Sequence, residues 1–128
     1  MVFLDYYLTI PPPAKFSSPL PFTLAGYADI LEGAIDDVVP DRFYSKIELL
    51  DYVLASQEKC YRLIMSLAEE QMNERFIEEP GTGSMDYSTF EILLYNMRHV
   101  QQHVGQLNML LRKHINHTSG WVARAGEE

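Results

Sequence analysis

The chain of 128 residues carries ten Lys and Arg against eighteen Asp and Glu, a formal net charge of -8, with 47% hydrophobic content. That length and apolar fraction fit one compact domain over residues 1–128 with a real core, while the acidic balance argues against nucleic acid or an anionic membrane, since either repels it. Cys60 is the single cysteine, which excludes an intrachain disulfide, and no stretch approaches the ~18 consecutive apolar residues of a membrane span, so a cytoplasmic protein is expected.

Residues 1 to 8, Met-Val-Phe-Leu-Asp-Tyr-Tyr-Leu, read as the end of an apolar helix with no capping residue before it. Pro11, Pro12 and Pro13 stop that helix, because proline lacks the amide donor and restricts its predecessor. From Pro11 to Tyr44 the chain is Pro-rich, with Phe16, Phe22, Tyr27 and Phe43 spaced through it. This predicts a long crossover pinned by its aromatics, with one short helix around Ala25 to Leu31.

Ser45-Lys46-Ile47-Glu48 is a capping box, in which serine caps the third helical amide and glutamate reaches back. It opens a helix predicted over 46–72, with Ile47, Leu50, Leu54, Tyr61, Ile64 and Ala68 recurring at spacings of three and four as the core stripe. Glu48, Asp51, Glu58, Lys59, Arg62, Glu69 and Glu70 read as its solvated face, Cys60 as a packing residue. Tyr52, Gln57 and Tyr61 are the polar-tipped residues suited to reach an internal site. Asn73 to Thr89 reads as a turn: Pro80-Gly81-Thr82-Gly83 lacks the Gly-Lys-Ser/Thr ending of a phosphate loop.

Asp86 or Ser88 is the predicted cap of a last long helix over 88–115. At about 100° per residue, Phe90, Leu93, Met97, Val100, Val104, Leu107 and Leu111 form its apolar arc. His99 and His103, one turn apart, project side by side from the shoulder of that arc. Two neutral imidazoles on one helix supply about half of a transition-metal shell; the same spacing also suits hydrogen-bonded core histidines. Asn96 and Gln106 flank the row as candidate partners of the ligands. Arg112, Lys113 and His114 suit the negative end of the helix dipole, and His117 reaches a metal only if the tail folds back. Trp121 and Val122 are expected to fasten that tail.

The run Tyr95-Asn96-Met97-Arg98-His99-Val100-Gln101-Gln102-His103-Val104-Gly105-Gln106-Leu107-Asn108, followed by Leu111-Arg112 and Trp121-Val122, resembles the last helix of the DinB-like superfamily. Phe3 to Leu8 and the Tyr44-Ser45-Lys46-x-Glu48-Leu49-Leu50 opening extend the likeness over most of the chain. The resemblance implies an all-α, DinB-like four-helix bundle, here N-terminally truncated with a long Pro-rich crossover. It also implies a divalent metal (zinc, nickel, iron or manganese) held by three histidines, two of them matched by His99 and His103. The family pattern places the remaining histidine upstream of Met1.

As to function, the resemblance implies a divalent-metal-binding protein of the metal-dependent hydrolase or low-molecular-weight thiol transferase type, acting on a small-molecule substrate such as a thiol. A partner subunit, the tail or solvent would complete the shell, or a longer chain would hold the missing histidine. The alternative is a non-catalytic interaction protein that keeps the fold without a working site. No general base is named by the sequence. A bundle short of one helix leaves an apolar groove along Phe3, Leu4, Ile47, Leu54, Val100 and Leu107, for which a homodimer is the expected cover.

Overall fold

The computed structural model describes residues 1–13, 16–24, 38–78 and 85–120. The expected helix around Ala25 to Leu31, the Pro80 to Gly83 turn and the Trp121-Val122 anchor lie outside them. The chain divides into two compact units, Met1–Asn96 and Met97–Glu128.

The described residues are mostly helical, with helices α1 (Val2–Tyr7), α2 (Lys46–Ser66), α3 (Glu69–Met72) and α4 (Thr89–Ile115). Beside the helices stand two short antiparallel ribbons that the all-α expectation did not include. One pairs β1 (Phe22–Leu24) with β2 (Val38–Pro40), Phe22 opposite Pro40. The other pairs β3 (Arg75–Ile77) with β4 (Asp86–Ser88), Arg75 opposite Ser88. Strands of three residues are too short to leave a readable alternation. Yet β3 obeys the period of two: Phe76 is fully buried between exposed Arg75 and Ile77, and Arg75 bridges to Asp86 at 2.6 Å.

The core of the first unit is aromatic. Tyr7, Phe76 and Ile92 are buried together, with Phe3, Tyr6, Ile10, Met85 and Tyr95 packed around them. The rings meet at their edges, Tyr7 on Tyr95 at 5.2 Å and Tyr6 on Phe76 at 5.7 Å between centroids, the arrangement that the ring quadrupole favours. Polar tips on this cluster are anchored. Tyr6 donates to Glu78 Oε1 at 2.9 Å, while Glu78 Oε2 accepts from the Met85 amide at 2.8 Å. Thr89 donates its amide and its hydroxyl to the Glu74 carbonyl, fixing the start of α4 beside the ribbon.

Helix α2 begins as the sequence predicts. Ser45 Oγ accepts from the Glu48 amide, and the Ser45 amide donates to Glu48 Oε2 at 2.8 Å. Arg42 clamps the same carboxylate. Its guanidinium, with the Ser45 donors, holds the Glu48 carboxyl down at about 2. The predicted end at residue 72 is corrected. Leu67 and Ala68 are extended, the Gln71 side chain caps the Ala68 amide at 2.8 Å, and α3 starts afresh from that turn.

The face that α2 buries also differs from expectation. Ile47, Leu50, Leu54, Tyr61 and Ile64, the predicted core stripe, are exposed. The buried positions are Tyr52 and Ser56, with Lys59 and Leu63 half-buried on the same row. Lys59, expected in solvent, donates to the Asp5 carboxylate, to the Asp5 carbonyl at 2.9 Å and to Thr9 Oγ1. Tyr52 donates to Asp5 Oδ2 at 2.9 Å and accepts from Ser18 at 3.0 Å. A buried aspartate needs partners, and these two side chains supply them, so the polar row turns toward α1 and the apolar stripe turns out. Tyr52 thus serves α1; Gln57 and Tyr61 are exposed.

Helix α4 runs Thr89–Ile115, against the predicted 88–115. Ser88 is its cap, with a second reciprocal pair: Glu91 Oε2 accepts from the Ser88 amide at 2.7 Å, and Ser88 Oγ accepts from the Glu91 amide at 3.2 Å. Asp86 is instead the partner of Arg75. At the far end Asn116 has φ 51, and its amide donates to the Arg112 carbonyl at 3.2 Å, a left-handed stop that asparagine tolerates better than most residues. Of the predicted apolar arc, Phe90, Met97, Val104, Leu107 and Leu111 are exposed, and Leu93 and Val100 are half-buried. Of the residues expected along an apolar groove, Phe3 stacks on Tyr7 within the aromatic core, and Ile47, Leu54 and Leu107 are exposed.

Candidate metal centre

His99 and His103 lie on the part of α4 that belongs to the second unit, Met97–Glu128. The segment around them offers nothing that breaks a helix, and Gly105 sits in open space where an added Cβ would meet nothing. Both imidazoles are half-buried. Their ring centroids are 4.6 Å apart and the planes cross at 81°, one ring edge against the other's face. The i to i+4 spacing has therefore brought the two rings into contact.

The next turn orients one of them. His103 Nδ1 lies 2.9 Å from Gln106 Oε1. An amide oxygen only accepts, so this contact suits the neutral tautomer that donates from Nδ1 and leaves Nε2 as the ligating nitrogen. Fixing the tautomer through a hydrogen bond at the other ring nitrogen is how proteins prepare a histidine ligand. Two imidazoles on one helix row, one with a side-chain amide beside its Nδ1, fit half of a metal shell. Among the described residues, no group of three or more His, Cys, Asp or Glu is placed to hold a metal ion.

The other candidates go elsewhere. Asn96 is buried, and its amide donates to the Leu4 carbonyl at 3.0 Å, which ties α4 to α1 within the first unit. Its Oδ1 is buried and has no hydrogen-bond partner among the described residues. His117 is exposed, and the tail that carries it does fold back: Ser119 Oγ donates to Asn108 Oδ1 at 3.1 Å. A cavity of about 300 Å³ separates Thr118 from Gly105, Asn108, Met109 and Arg112. Asn108 is nine residues past His99, about 180° around a helix of 3.6 residues per turn. The tail therefore returns on the far side of α4, and His117 is no substitute ligand. Cys60 is half-buried in the middle of α2.

Sequence reading missed the Asp5–Lys59–Tyr52 cluster. Its signals were present: Asp5 is the one charge in an apolar run, and Tyr52, Ser56 and Lys59 recur at four and three.

The model of the DinB family matches residues 38–121, about two thirds of the chain, with α2, the β3–β4 ribbon and α4 inside the match. The chain belongs to the DinB family. The matched span of this DinB family chain contains both histidines and excludes α1. No curated protein and no solved structure matches. Among the described residues of this DinB family member, no helix is long and apolar enough to cross a membrane.

Proposed function

We propose that this DinB family chain binds a divalent transition metal through His99 and His103, as part of a small-molecule hydrolase or low-molecular-weight thiol transferase of the cytoplasm. The observation that carries the reading is the imidazole pair in edge-to-face contact, with Gln106 Oε1 2.9 Å from His103 Nδ1. Zinc, nickel, iron and manganese all accept imidazole, and the donor type does not choose among them. When bound, such a metal lowers the pKa of a coordinated water or thiol and makes it a nucleophile near neutral pH. The chain's own part is to present two nitrogen donors on a rigid helix and to hold the His103 proton at Nδ1. The remaining positions of the shell are filled by a partner subunit, by further chain or by solvent and substrate.

A cobalt titration tests this reading, because cobalt reports its shell through visible absorption. The wild-type chain is expected to develop a saturable band, and His99→Ala and His103→Ala are each expected to abolish it. Gln106→Leu, which removes only the orienting bond, is expected to weaken binding by about 10-fold or more. Equal binding by wild type and both alanine variants contradicts the proposal.

A further inference from the structure

We propose that the exposed apolar face of α2 is a docking surface for a second copy of this chain, the two α2 helices packing in parallel and in register. Ile47, Leu50, Leu54, Tyr61, Ile64 and Met65 are 71%, 49%, 59%, 61%, 55% and 69% exposed. At about 100° per residue they share an arc of roughly 100°, displaced from the row of Tyr52, Ser56 and Lys59 that faces α1. One face of α2 thus completes the fold of its unit, and among the described residues the other stays exposed.

The pattern of that face indicates a helix as its occupant. Ile47, Leu50, Leu54, Gln57, Tyr61 and Ile64 alternate spacings of three and four, the a and d positions of a heptad. An exposed seam of this kind finds its cover in a second helix of the same period, and in the first heptad Ile47 at a with Leu50 at d is the pairing that favours two strands.

Three features make that helix a second copy. The six apolar residues leave on the order of 800 Å² of surface in solvent, which equals what each partner of a standard-size interface buries (about 800 Å²). Gln57, exposed at the middle of the seam, carries both an amide donor and an amide acceptor. Across a two-fold axis it meets itself and is satisfied, and a polar residue at one such position fixes register. In register, Lys46 at a flanking position also lies beside Asp51 of the other copy, opposite charges five residues apart as parallel pairing requires.

Sedimentation equilibrium on the intact chain from 1 to 100 µM tests the proposal. The wild type is expected to sediment as a dimer through most of that range. Leu54→Lys, which places a charge in the seam but touches no buried contact of the monomer, is expected to sediment as a monomer with unchanged far-ultraviolet circular dichroism. Alignment is read from Leu50→Cys in a Cys60→Ser background. Parallel helices bring the two new thiols together, and mild oxidation is expected to give a covalent dimer; antiparallel helices hold them far apart. A wild-type monomer at 100 µM, or a Leu54→Lys dimer as tight as wild type, overturns the second copy as occupant. Dissociation by Leu54→Lys without cross-linking through Leu50→Cys overturns the parallel register.

Discussion

Replacing Lys59 by Met tests the polar joint between α1 and α2. The ammonium is the hub of that joint, with bonds to the Asp5 carboxylate, the Asp5 carbonyl and Thr9. Methionine keeps much of the aliphatic length and removes all three bonds. Asp5, only 8% exposed, would keep the Tyr52 hydroxyl as a partner but lose its counter-charge. Removing one member of a fully buried pair costs about 3–5 kcal/mol. The Lys59 side chain is 35% exposed, however, so water takes part of the load and about 2 kcal/mol is the better figure. For a two-state domain of this size, that lowers the thermal midpoint by roughly 4–8 °C. Urea unfolding at one fixed protein concentration, read by circular dichroism, would compare wild type, Lys59→Met, Asp5→Asn and the double variant. The double variant is expected to cost less than the sum of the singles, with a coupling of about 1–2 kcal/mol. Singles within 0.5 kcal/mol of wild type (about the scatter of ordinary surface changes), or strictly additive effects, would refute the idea that this pair sets the face α2 buries.

Two further outcomes depend on pH. Glu48 is held down at about 2, first by Arg42 and then by Ser45, against an ordinary value of 4.5. Its contribution is present above the ordinary value and is lost as pH falls toward the folded one. The stability gap between wild type and Glu48→Gln should therefore be constant near neutrality and close between about pH 4.5 and 2; a gap independent of pH contradicts the clamp. Tyr6 is pushed up to about 12, chiefly by burial and then by its bond to Glu78. Its stabilisation is present below the ordinary phenol value and is lost as pH rises through the raised one. Absorbance at 295 nm should show a step near pH 12 that Tyr6→Phe removes, and titration of Tyr6 with the exposed tyrosines in the folded protein would contradict it.

What the sequence made legible was local. The Ser45–Glu48 capping box could be read because a cap is a contract between residues three apart, and the same contract between Ser88 and Glu91 decides between the two caps, Asp86 and Ser88, that the sequence offered. The bounds of α4 and the shared row of His99 and His103 followed from helical period alone. Choices that depend on partners distant in sequence stayed hidden. Period showed that α2 has an apolar stripe but not that Asp5, 54 residues before Lys59, would draw the polar row inward instead. The helix predicted through residue 72 ran over the break at Leu67, since that break is capped by the Gln71 side chain reaching back to Ala68. Ribbon β3–β4 escaped notice because three residues carry too little alternation, although fully buried Phe76 anchors the aromatic core. Asn96 was placed near the candidate ligands by period, and its amide turned out to serve the Leu4 carbonyl.

The metal content of the purified chain, measured by elemental mass spectrometry beside His99→Ala and His103→Ala, tests the central claim most directly. About one transition-metal ion per chain, lost in both variants, is the expected result. No bound metal in the wild type after incubation with zinc or nickel, or metal retained by both variants, would contradict the claim that these two histidines make a site.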